Sequence, residues 1–301
     1  MTGGLAMLLA SALAQAPSQA PTFSVGVEAV HVDVFVSDAG RPVTGLTQAD
    51  FELRDSGRRR DVELVAVETL PLRMFLVFDT SGSVDGEKLA QLQAAGLSLL
   101  RGLRPGDEAA LVTFGHEIAL RVEATTELAR LERGLRGILP GGSTALWDAL
   151  YAGTLLASGS GRSLLVLFTD GQDNLSWLDA AELRRVVEQS NVLVQAVGLE
   201  PPAPPPLPGG RPQPAPVELP YLRTLRQLAE LSGGRFWPAT SPDRLADAFG
   251  AIAELMRTRY VLRFEPTSPS RPGLHPIDVR LVRRSGKVRC RRAYFVTPTS
   301  P

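Results

Sequence analysis

The chain has a single cysteine, Cys290, so no disulfide can form within it and no cysteine cluster can hold a metal. Charge of one sign is not in excess either: Lys plus Arg and Asp plus Glu each total 32 in 301 residues, so no overall field draws the chain to nucleic acid or to an anionic membrane. Seven basic residues do gather between Arg280 and Arg292, but they sit in a strand-like segment with few aromatics and read as a solvated, edge-protecting face. Beyond the first residues no run is apolar enough for a membrane-spanning helix, and no Lys or Arg precedes Arg41. What remains is an ordinary globular composition, 44% hydrophobic and 21% charged, with length for one large domain and a smaller one.

Residues 1–20 stand apart. An apolar run from Leu5 to Ala10, then small residues around Ala12–Ala16 and a polar, Pro-rich stretch, give the pattern of a secretory signal, although its basic start is missing. The expectation is an exported protein, periplasmic or extracellular, with no integral membrane segment beyond the signal.

From residue 23 to 70 the pattern alternates. Val30, Val32, Val34 and Val36 fall on one face and His31, Asp33 and Phe35 on the other, as in a half-buried strand. From residue 71 to 258 the pattern changes: the apolar runs 74–78, 110–114, 164–168 and 192–197 alternate with helix-periodic stretches at 89–103, 128–135, 145–156, 219–231 and 245–256. Continuous apolar strands separated by helices predict a parallel sheet covered on both faces. Residues 259–297 return to period two. The predicted fold is therefore α/β, a doubly wound, mostly parallel sheet inserted in a smaller all-β unit formed by the N- and C-terminal segments. Residues 201–216 hold nine prolines and cannot enter the sheet, so they read as a semi-rigid loop of polyproline II character.

Three loops converge in such a sheet. Asp79-Thr80-Ser81-Gly82-Ser83 follows one apolar strand, Gly141-Gly142-Ser143-Thr144 precedes a helix, and Thr169-Asp170-Gly171 follows another strand. The carboxyl ends of neighbouring strands share a crevice, so the first and third loops should face each other. They bring together two carboxylates and three hydroxyls with no His or Cys, a donor set for a hard divalent ion such as Mg²⁺ or Mn²⁺. Two Asp charges balance the ion, and the uncharged hydroxyls leave it electrophilic. Asp85, Asp173 and Asn174 lie beside these loops with ordinary turn or helix-start roles. His116 reads as a solvent-facing turn residue, and Trp147 and Trp177 as either core or partner-facing.

The Asp-x-Ser-x-Ser loop, the downstream Thr and the Thr-Asp-Gly loop, in this order and on these strand and helix ends, resemble the metal-ion-dependent adhesion site of von Willebrand factor type A and integrin inserted domains. The resemblance implies metal ligation by Asp79, Ser81, Ser83, Thr144 and Asp170: Ser81 and Ser83 directly, Thr144 directly or through water, the two Asp often through water. The flanks, Val32 to Val36, Arg41 to Leu46, Ala49 to Phe51 and Arg259 to Leu262, are similar to bacterial exported proteins of the same kind. The implied function is a non-enzymatic, Mg²⁺-dependent module for adhesion or assembly that grips an Asp or Glu carboxylate on a protein partner. A scaffold subunit of an envelope complex is one alternative. A metal-assisted hydrolase is another, and it would need a positioned base that the three loops themselves do not contain.

Overall fold

The computed structural model describes residues 29–66, 70–159, 161–199, 219–241, 243–266 and 271–296. The signal-like segment 1–20 and the Pro-rich segment 201–216 lie outside the described residues.

The N-terminal part supplies strands β1 (Val30–Asp38), β2 (Arg41–Pro42), β3 (Phe51–Asp55), β4 (Arg58–Arg60) and β5 (Glu63–Val65). The middle alternates strongly: β6 (Leu72–Asp79), α1 (Glu87–Leu100), β7 (Glu108–Phe114), β8 (Ile118–Thr125), α2 (Leu128–Arg136), α3 (Leu146–Ala157), β9 (Arg162–Thr169), α4 (Ala180–Gln189), β10 (Leu193–Leu199), α5 (Pro220–Leu231), β11 (Arg235–Ala239) and α6 (Asp243–Arg257). The chain closes with β12 (Tyr260–Phe264), β13 (Gly273–Leu281), β14 (Lys287–Arg289) and β15 (Ala293–Val296).

The central sheet has the order β11-β10-β9-β6-β7-β8, parallel except for the edge strand β8. Its inner strands β10, β9, β6 and β7 are predominantly apolar because both faces are covered. Met74, Leu76 and Phe78 of β6, with Leu164, Val166 and Phe168 of β9, pack under α1, α2 and α6. The alternate residues Phe75, Val77, Leu165 and Leu167 pack under α3, α4 and α5. Gly96 lets α1 lie close on this sheet, since a Cβ there would stand 2.9 Å from the Phe78 ring. The sheet is thus doubly wound, and β6 and β9 are neighbours at its centre.

The terminal segments pair with each other. β1 runs antiparallel to β12 and β14, and β3 runs antiparallel to β13. Val32, Val34, Val36, Leu53, Leu262, Phe264, Val279 and Tyr294 form their shared core. The other face of β1 is not left to solvent, as simple alternation would have it. Phe35 is buried, and Asp33 accepts from Arg162 Nε at 3.0 Å, at the start of β9. Arg259, fully buried on the last turn before β12, donates to the Gly233 carbonyl at 2.9 Å, and its Nε stands 3.8 Å from Asp33. Burial pushes the Arg259 pKa down to about 10, against the pull of Asp33. This ion cluster ties the β unit to the end of the central sheet opposite the three loops. Within the period-two segment the run 288–296 is not continuous: it breaks at Cys290–Arg292 because its halves serve different sheets, β14 pairing with β1 and β15 with β13.

Candidate metal centre

β6 ends at Asp79 and β9 at Thr169, so the sheet itself delivers the first and third loops side by side. Asp79 is fully buried. Its Oδ1 accepts from the Ser81 amide at 2.9 Å and its Oδ2 from the Thr169 hydroxyl at 2.6 Å. These bonds hold the carboxylate, but burial still pushes its pKa up; the two hydroxyl and amide partners oppose that rise and the nearby Asp170 charge adds to it. The Ser81 and Ser83 hydroxyls lie 3.0 Å apart, and Ser83 Oγ donates to Asp170 Oδ1 at 2.7 Å. Thr144 is buried, and a Cβ placed on Gly171 would stand 3.6 Å from Thr144 Oγ1 and 3.9 Å from Ser83 Oγ. All five sequence-predicted oxygen donors are therefore brought to one place.

The middle loop is held by its neighbours' backbone. Gly82 N donates to the Gly142 carbonyl at 3.1 Å and Gly141 N to the Thr80 carbonyl at 2.7 Å. Gly142 has φ of +81°, and a Cβ there would collide with the His116 ring at 2.2 Å, so glycine is required twice over. His116 is exposed and borders this loop, as a turn residue would.

Asp173 and Asn174 do more than fill a turn. Asn174 Oδ1 accepts from the Thr144 amide at 2.9 Å, and the Asn174 amide donates to the Thr144 carbonyl at 3.0 Å. Helix α3 has no capping side chain of its own, and its first amides are taken up from this loop instead: Leu146 N by Asp173 and Trp147 N and Asp148 N by Ser176 Oγ. Asp148 in turn accepts from the amides of Trp177 and Leu178. Trp147 is partly buried against the core beside α3, whereas Trp177 is 96% exposed on the pinned loop.

One contact was not legible in the three loops. Lys88, in the first turn of α1, reaches back to Asp170 Oδ2 at 2.8 Å and to the Ser83 carbonyl at 3.0 Å. A lysine thus reaches the site from α1, outside the three loops, which themselves supply none. Helical side chains lean toward the helix N-terminus, so a lysine five residues after Ser83 was placed to fold back on the loop.

The donors fit a hard divalent ion. Among the described residues no three His, Cys, Asp or Glu gather as a metal cluster, so a cation would have to draw on hydroxyls, as it could here. The buried Asp79 also has no cationic partner among the described ion pairs, so a metal would answer the charge that burial disfavours.

Comparison with known proteins bears on the fold of the central unit. Residues 74–172 match the family model for the von Willebrand factor type A domain. The inter-alpha-trypsin inhibitor heavy chain H2 of Mus musculus is 29% identical over 150 residues, 44% of this chain but only 16% of that protein. A protein of Synechocystis is 29% identical over 141 residues, covering 45% of this chain and 32% of its own length. Among solved structures, a von Willebrand factor type A protein from Catenulispora acidiphila superposes with a TM-score of 0.51 at 14% identity, over 84% of this chain and 76% of that one. Proximal thread matrix protein 1 of the mussel byssus gives a TM-score of 0.51 at 17% identity, over 66% of this chain and 49% of its own. Residues 74–172 thus carry the match to the von Willebrand factor type A domain, and the central unit around them has the fold of solved members.

Proposed function

We propose that this domain is a divalent-cation-dependent protein-binding module that serves in adhesion or assembly outside the cytoplasm. The observation that supports this best is the continuous oxygen cluster: Asp79, Ser81, Ser83 and Asp170 joined by short contacts, with Thr144 Oγ1 facing the same point across Gly171. Ser81, Ser83 and Thr144 would hold Mg²⁺ or Mn²⁺ by their hydroxyls, with Asp79 and Asp170 supplying the balancing charge. A bound ion would supply an electrophilic position that an Asp or Glu carboxylate of a partner can complete.

The chain's own residues prepare that contact. Thr169 and the Ser81 amide fix Asp79 in one orientation, and the Asn174–Thr144 bonds fix the middle loop, so little ordering is left for binding. Ser83 and Gly142 are exposed, which leaves the cluster open on one side. Trp177, exposed on the loop that carries Asp173 and Asn174, offers an aromatic contact of the kind that dominates protein interfaces.

Export is part of the proposal and rests on residues 1–20. Among the described residues no helix is long and apolar enough to cross a membrane. Capture of envelope proteins on the immobilised chain tests the reading. The same proteins should be retained in Mg²⁺, released by EDTA and missing on Ser81→Ala beads. Retention indifferent to chelator and to Ser81→Ala would favour the scaffold alternative.

A further inference from the structure

Lys88 brings its ammonium group into the oxygen cluster. Its ammonium lies 2.8 Å from Asp170 Oδ2 and 3.0 Å from the Ser83 carbonyl, while Asp170 Oδ1 accepts from the Ser83 hydroxyl at 2.7 Å. The Asp170 side chain is wholly buried, and Lys88 retains 38% exposure. Among the described ion pairs, Lys88 is the cation that touches either site carboxylate. Two buried carboxylates on adjacent strand ends repel each other and are each costly without a counter-charge. Lys88 supplies one for Asp170 and at the same time ties the first loop to the third.

We propose that Lys88 is a placeholder cation: in the metal-free protein it neutralises Asp170 and holds the two loops in the ligating arrangement, and its charge lowers the site's affinity for a divalent ion. The proposal rests on the reading that these oxygens bind metal. Two effects act in the same direction. A divalent ion held by Asp170 and Ser83 sits beside a like charge, which weakens its binding. The metal-free state, in turn, is stabilised because Asp170 already has a partner, so metal binding gains less by supplying one. The benefit falls to the partner: with Lys88 present, the ion and the two carboxylates leave a net charge of about +1 at the open face, which favours an anionic ligand. Lys88 is a positioning residue in this account and not a ligand.

The test uses the full chain and Mg²⁺ alone as the probe. Wild type, Lys88→Met, Lys88→Gln and Lys88→Arg are titrated by calorimetry and melted in EDTA. The two neutral variants should bind Mg²⁺ roughly tenfold more tightly or better and melt lower than wild type in EDTA. Lys88→Arg should behave as wild type in both. Lys88→Gln keeps a donor for Asp170, so it reports on affinity even if Lys88→Met does not fold. Neutral variants that bind Mg²⁺ no more tightly than wild type overturn the placeholder role. If wild type binds no Mg²⁺ while the neutral variants do, the metal reading of the natural protein falls and the placeholder role stands. If none of the four binds, both fall.

Discussion

The Thr169 hydroxyl lies 2.6 Å from Asp79 Oδ2, joining the ends of two adjacent strands whose residues are 90 apart in the chain. Thr169 is fully buried and is not one of the five ligand positions, yet it satisfies one oxygen of the buried carboxylate. Thr169→Val removes the donor and keeps the shape. It should cost about 1–3 kcal/mol of stability, read from urea midpoints in EDTA, with part of the loss recovered in Mg²⁺.

Asp79 itself illustrates a conflict between stability and binding. Its pKa is raised, chiefly by burial, so its ionised form costs stability: the contribution is fully favourable below the unfolded pKa and is lost as pH rises through the higher folded one. Asp79→Asn keeps an acceptor oxygen for the Ser81 amide and turns its NH2 toward the Thr169 hydroxyl, which then accepts instead of donating, and it carries no charge. The metal-free variant should therefore unfold at a higher urea concentration than wild type at pH 7. A lower midpoint would show that the hydrogen bonds to the charged form outweigh its desolvation.

The partition of the chain was largely legible in the sequence, because continuous apolar strands and alternating ones bury different numbers of faces. The five oxygen donors were legible for a related reason: a parallel sheet sends the ends of β6 and β9 to the same edge. What was hidden depended on direction and on distant partners. Lys88 needed the lean of side chains at a helix start. The role of Asn174 needed to know which amide, 30 residues away, lacked an acceptor. The buried face of β1 could not be read from β1 alone, since Phe35 and Asp33 are covered by another part of the chain.

That interface gives a further stability test. Asp33 accepts from Arg162 and stands near Arg259, whose side chains are 8% and 1% exposed. Asp33→Ala leaves both cations without their shared carboxylate, and should cost about 2–3 kcal/mol, less than a fully enclosed pair because Asp33 remains partly exposed. Wild-type stability in Asp33→Ala would mean that this carboxylate contributes nothing to the docking of the two units.

The β unit should not survive division. Every long partner of β1 and β3, namely β12, β14 and β13, lies after residue 259. A fragment of residues 71–258 should fold, whereas 23–70 should not, lacking the strands that cover its apolar face. Circular dichroism and proton NMR dispersion of the two fragments decide it, and a folded 23–70 would contradict the split arrangement.

Cys290 reports on the same junction. Burial pushes its thiol up to about 11, against the pull of Arg259, so the reactive thiolate is scarce at neutral pH. At pH 8 the native protein should react with a disulfide reagent far more slowly than the urea-unfolded chain, and the difference should narrow as pH approaches 11. Equal rates at pH 8 would show that the thiol is not shielded by the close approach of the Cys290–Arg291 backbone to Gly233.

Calorimetric titration of the full chain with Mg²⁺, beside Asp79→Ala, tests the central claim most directly. The account predicts about one ion bound by the wild type and none by the variant. A wild type that takes up no Mg²⁺ or Mn²⁺, or a variant that binds as well as wild type, would contradict it.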